Sequence, residues 1–209
     1  VRAGKWIYAV GGTTENTNVE SPVTGALETI ERAAILSLDT SPYVTSVAAV
    51  AGGVLEAGTY YYRVSAIGPW GESLPSNLKM IFGAAGTVQI AWNAVEGATS
   101  YNVYRNVDKS GNQGNTRLLA TGITGTSYSD MGDILPAVDG VEPLPPGSLS
   151  KWQPVTEPML ECREGLDSVV VTVPSGDPNE PDKTYLYAVG GRPDSSGAGY
   201  LSSGERAEV

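Results

Sequence analysis

At 209 residues the chain is long enough to bury the core of one large domain or two modest ones. Its formal charge of −10 argues against a nucleic-acid partner, because a phosphate backbone needs a basic surface. The absence of histidine removes the commonest metal ligand and general base, and a lone cysteine, Cys162, excludes an internal disulfide framework. No run approaches the roughly 18 apolar residues of a membrane span, so neither membrane insertion nor a cofactor is expected. Gly (26) and Pro (14), with abundant Thr, Ser, Val and Tyr, favour short strands joined by turns, and the expected class is all-β. Val1 leads almost directly into a strand without an initiating Met or a signal peptide, so the chain reads as a processed or excerpted piece of something longer.

In chain order, residues 5–10 predict a short buried strand that stops at Gly11-Gly12. A glycine pair there turns the backbone sharply and admits close neighbours. Residues 13–25 are polar and loop-like, and 31–38 predict the next strand. From residue 44 to 145 the texture changes. Residues 58–66 alternate in period two, with Tyr60, Tyr62, Val64 and Ala66 on one face and Tyr61 and Arg63 on the other. Gly71-Glu72-Ser73 turns the chain. Short strands follow at 88–92, 101–105, 118–120 and 126–128, at a spacing that suits a β-sandwich. Beyond Trp152 and a Pro-containing stretch to Gly165, strands are predicted at 168–173, 185–189 and 205–209. The pentapeptide Tyr-Ala-Val-Gly-Gly at 8–12 returns at 187–191, and each copy is followed by Glu-Arg-Ala, at 31–33 and 205–207.

Gly11-Gly12 and Gly190-Gly191 at strand ends, Trp152, and Pro158 followed by Arg163 resemble the kelch repeat of β-propellers. The resemblance covers residues 1–44 and 145–209. It implies strands two and three of one blade, a fourth strand after the middle region, and strands one to three of the next blade. A propeller typically has 4–8 blades, so missing sequence or other chains must close the ring and cover its edges. The middle, 45–144, resembles a fibronectin type III-like sandwich of the kind found in bacterial surface and phage virion proteins. The matching stretches are AGTYYYRVSAIGPWGES (57–73), IAWNAVEGATSYNVYRN (90–106) and LLATGITGTSYSD (118–130). In that family the Tyr-rich strand comes late, whereas here it precedes the Trp strand. The module is therefore permuted, or two incomplete modules run together.

Chemical motifs are sparse. The 106–111 stretch begins like a calcium loop, but Arg117 stands where a bidentate Glu is needed, and a turn is expected instead. The acidic 177–182 stretch reads as a solvated connection. The repeated Glu31-Arg32 and Glu205-Arg206 pairs point to a structural contact made once per repeat. Cys162 has no histidine to activate it and reads as a small packed residue. The aromatics of the middle segment can stack on glycans, but their alternation favours core and interface positions. Trp70, in a Pro-Trp-Gly turn, is the exception and the candidate binding residue: Trp70→Ala is expected to keep the fold and weaken a partner contact. Together these features predict a non-catalytic interaction module, extracellular, on a cell surface or on a virion, contacting other protein chains or glycans. The alternative is a fragment of a propeller enzyme acting on carbohydrate, with its active site outside this chain.

Overall fold

The computed structural model describes residues 1–12, 25–109, 112–193 and 199–209, and nearly all of the 13–25 loop expectation lies outside them. The chain divides into two compact units, Val1–Ile35 with Trp152–Val209, and Leu36–Lys151. The sequence places the middle segment at 45–144; the compact unit runs from Leu36 to Lys151. The first stretch supplies β1 (Arg2–Ala3), β2 (Trp6–Val10) and β3 (Ile30–Ala34). The middle supplies a short 3-10 turn (Leu38–Thr40), β4 (Val44–Gly68), β5 (Gly71–Glu72), β6 (Lys79–Trp92), β7 (Ser100–Asn106), β8 (Thr116–Ile123) and β9 (Ser127–Asp130). The last stretch supplies β10 (Gln153–Pro154), β11 (Asp167–Val173), β12 (Lys183–Val189) and β13 (Gly204–Glu208). The described fold is all-β.

In the first unit β1, β2, β3 and β10 form one antiparallel sheet in that order, and β11, β12 and β13 form another. The two-residue β1 is a strand the sequence does not reveal. β3 also ends earlier than the predicted 31–38 strand, at Ala34, which lies opposite Trp6 where β2 begins. Ser37 then caps the 3-10 turn by accepting the Asp39 N–H at 3.2 Å.

The two hairpins share one register. Ile7, Tyr8 and Ala9 lie opposite Ala33, Arg32 and Glu31, as Leu186, Tyr187 and Ala188 lie opposite Ala207, Arg206 and Glu205. Their side chains repeat the same contact: Arg32 covers the Trp6 ring at 4.4 Å and Arg206 the Tyr185 ring at 4.9 Å. Strand alternation puts Trp6, Tyr8 and Val10 on one face of β2, while Leu186 and Ala188 occupy the opposite face of the matching β12. Both sets enter one core with Ile30 and Met159. The sheets therefore stack head to tail, unlike face on unlike face.

The second unit is built on two bent strands. Residues 44–50 of β4 pair with 87–92 of β6, which pair in turn with β9. Residues 60–62 of β4 pair with 79–81 of β6, and 62–67 pair with β7, whose other neighbour is β8. Register shifts between Val50, Leu55, Gly58 and Tyr60 mark the bend. Gly53 sits there at φ +69°, where a Cβ would come within 2.4 Å of the Gly86 carbonyl oxygen. One core gathers Val44, Val88, Ile90 and Trp92 with Tyr60, Tyr62, Val64, Ala66, Tyr101 and Val103, and Trp92 meets Tyr101 edge-on at 5.4 Å. The Tyr-rich strand and the Trp strand thus belong to a single body.

Candidate interaction site

The segment between β10 and β11 joins the two stacked sheets, and Arg163 is its centre. The backbone N–H of Arg163 donates to Leu27 O at 3.0 Å, and its carbonyl accepts the Gly12 N–H at 3.0 Å, which fixes it to the loop beyond β2. Its side chain is fully buried and reaches the second sheet. Nε donates to Glu205 Oε1 at 3.0 Å, and Nη1 donates to the carbonyls of Gly190 (2.8 Å) and Ser203 (3.1 Å). Nη2 donates to Glu161 Oε2 (3.0 Å) and Ser203 Oγ (2.9 Å). The Glu205 carboxylate also accepts the N–H groups of Leu160 and, at 3.2 Å, Glu161. Burial alone would raise the Glu205 carboxyl, but the Leu160 N–H, the guanidinium and the Glu161 N–H outweigh it and hold the group below the ordinary glutamate value.

The glycine pairs make this approach possible. A Cβ on Gly11 would lie 2.5 Å from Arg163 O, and one on Gly191 would lie 2.8 Å from Glu164 O; both backbones have positive φ. The recurring pentapeptide therefore clears room for the segment linking one sheet to the next.

The two sheets differ at their outer edge. β3 is flanked by β10, and Val155 N donates to Ile30 O at 2.8 Å just beyond it. β13 has no outer neighbour among the described residues. Because Gly190 N and Val209 N bond Ser203 O and Thr184 O, antiparallel alternation turns the backbone groups of Gly204, Arg206 and Glu208 outward. A groove of about 660 Å³ runs beside them, with Arg206, Glu208, Pro154, Val155 and Leu160 in its walls. An open strand edge beside a groove can accept another strand, main chain to main chain.

The residues singled out in the sequence have structural partners. Trp70 is half-buried: its ring lies against the Cα positions of Gly68 and Gly97, and its carbonyl accepts the Lys151 N–H at 2.7 Å. Tyr60, Tyr62, Trp92 and Tyr101 are buried and present no stacking surface. In the calcium-like stretch, Asn106 is buried and its Oδ1 accepts the Tyr61 N–H at 2.9 Å, while Arg117 pairs with Glu142 at 2.7 Å; Ser110 and Gly111 lie outside the described residues. In the acidic loop, Asp177 accepts the Asn179 N–H at 2.8 Å and Asp182 the Ser175 N–H at 3.2 Å, so both carboxylates hold their own turn. Cys162 is a partly buried free thiol.

Two features escape the sequence reading. One is the Arg163 network: the resemblance singles out Arg163 and the duplicated Glu-Arg-Ala singles out Glu205, but nothing in the sequence pairs the two. The other is a groove of about 640 Å³ in the second unit, walled by Tyr43, Leu74, Pro75 and Pro143 and edged by Arg63 and Arg117. No family model, curated protein or solved structure matches the chain.

Proposed function

We propose that this chain is a non-catalytic structural module of an assembly that is secreted, displayed on a cell surface or built into a virion, and that it makes protein–protein contacts through open β-sheets. The observation that carries the reading is the edge of β13, unpaired among the described residues, in a sheet that repeats the register of a neighbour whose matching edge is covered. On this reading the stacked sheets are two kelch-type propeller blades, the second showing three strands among the described residues. The middle unit is a fibronectin type III-like sandwich in which the Tyr-rich strand, late in the ordinary order, precedes the Trp strand at 87–92. The pairing of 60–67 with β7 and of 87–92 with β9 supports that permuted order. Glycan contacts fall to exposed rings such as Tyr43 and Tyr200, since the strand aromatics are core.

Sedimentation velocity tests the assembly. Self-association is expected to rise from micromolar to near-millimolar concentration, and Arg206→Pro, which removes an outward N–H from the open edge, should reduce it strongly. A chain that stays monomeric throughout, or that associates equally well with proline at 206, overturns the reading.

A further inference from the structure

We infer that the first sheet carries a second arginine cradle, built like the one that holds Arg163, and that it binds an extended polypeptide segment with a Glu-x-Arg pattern supplied by a different protein segment. The shared register sets Glu31 on Glu205, Gly11 on Gly190 and Thr29 on Ser203. The match extends to the backbone: Gly11 N donates to Thr29 O at 2.9 Å, as Gly190 N donates to Ser203 O at 3.0 Å. In the second sheet the arginine uses the Gly190 carbonyl, the Ser203 carbonyl and hydroxyl, and the Glu205 carboxylate. The first sheet offers the Gly11 carbonyl, the Thr29 carbonyl and hydroxyl, and the Glu31 carboxylate at the corresponding places.

The difference is occupancy. Glu205 is largely covered and accepts three donors, whereas Glu31 is exposed, and no donor among the described residues reaches its carboxylate. Ala9, which matches the buried Ala188, is also exposed. The face is thus the receiving half of an interface whose completed form exists in the same unit. Its chemistry selects the ligand. A carboxylate flanked by two carbonyls and a hydroxyl matches the donor fork of a guanidinium, and an ammonium has no comparable planar spread. Residues 160–161 show that the same segment must also present backbone N–H groups to the carboxylate, which requires an extended chain. A folded second copy is not the source, because its own Arg163 is buried with all its donors engaged.

This deepens the assembly reading and rests on it, but it concerns the opposite end of the stack from β13. The probe is a capped, fluorescent peptide with the sequence of residues 157–166, carrying Cys162→Ser to prevent oxidation. Anisotropy titration into the full chain should show saturable one-to-one binding. Arg163→Gln in the peptide, or Glu31→Gln in the protein, should each weaken it at least about tenfold, as loss of a charge-assisted pair does; Thr29→Val should cost less. Glu31 is exposed, so Glu31→Gln keeps the fold, which circular dichroism checks. Absence of saturation at millimolar peptide, or binding indifferent to Glu31→Gln, overturns the inference. Binding lost in Arg206→Pro but kept in Glu31→Gln places the peptide on β13, which overturns the cradle and leaves the assembly reading standing. Self-association that disappears in Glu31→Gln assigns the face to a second copy and overturns the choice of partner.

Discussion

Burying a guanidinium is costly unless its N–H groups find acceptors, and Arg163 finds one for each of its five in Glu205, Gly190, Ser203 and Glu161. Removing the cation strands those acceptors. Arg163→Met is expected to cost the first unit about 3 kcal/mol in urea unfolding, and Arg163→Lys should recover only part of it because an ammonium cannot span the set. The partner carboxylate gives the same contact a pH signature. Glu205 is held below its ordinary value, so its contribution is fully present above the unfolded glutamate value, about 4.3, and is lost as pH falls through the lower folded value. The urea midpoint of the first unit should therefore drop as pH falls below about 4.3, and Glu205→Gln should flatten that drop while lowering the midpoint at pH 7. An unchanged pH slope in Glu205→Gln would show that the carboxylate is not what the acid titrates.

Among the elements, β9 is held to β6 by its ladder and to the opposite layer by one residue at its end. Asp130 is buried; its Oδ2 accepts Tyr62 Oη at 2.7 Å from β4 and Arg105 Nη1 at 2.6 Å from β7, and its Oδ1 accepts the Gly132 N–H at 3.0 Å. β9 pairs with β6 in one layer, whereas 60–67 of β4 and β7 form the other, so this cluster ties the layers together. Burial and the neighbouring carboxylate push the Tyr62 phenol well above its ordinary value, so it stays a donor. Asp130→Ala leaves Arg105 buried and unpaired and should cost about 3–5 kcal/mol. Tyr62→Phe removes one donor and should cost about 1–2 kcal/mol. Denaturant unfolding of the second unit measures both, and equal costs would mean that the ion pair adds nothing beyond a hydrogen bond. The sequence was legible where periodicity operates: the alternation at 60–66 names four core residues correctly, and 88–92 and 101–105 follow suit. It was silent where pairing is non-local. Residues 44–50 read Val-Thr-Ser-Val-Ala-Ala-Val, whose valines recur every third residue rather than every second, and they become strand by pairing with 87–92. Asp130 and Arg105 lie 25 positions apart, and Glu205 and Arg163 lie 42 apart, so no local pattern reveals either pair. The cradle shows in the sequence only as duplicated Glu-Arg-Ala, since a carboxylate waiting for a ligand and one facing solvent are the same letter.

For the whole molecule, the point of insertion decides how the chain can fold. β3 and β10 are antiparallel neighbours, with Arg32 opposite Gln153, so residues 36–151 occupy the position of a hairpin turn between them. The inserted unit closes its own ends, since Leu36 N donates to Ser148 O at 2.9 Å, and it has a core of its own. A unit with adjacent ends and a private core should fold independently of its host. Residues 36–151 expressed alone are accordingly expected to give dispersed amide resonances and a cooperative melt matching one transition of the full chain. The reciprocal variant, with 36–151 replaced by Asn-Gly, a dipeptide suited to a two-residue hairpin turn, should keep the β2–β3–β10 pairing, read as slow hydrogen exchange at β2 and β3. An isolated 36–151 that binds apolar dyes and melts without cooperativity would mean that the host sheets complete its core. Loss of protection at β3 in the shortened chain would mean that the insert holds β10 in place. If both pieces behave as expected, the long separation of the two glycine-pair hairpins is an accident of where a second fold was admitted, and the head-to-tail stack is set by the hairpins and the Arg163 segment alone.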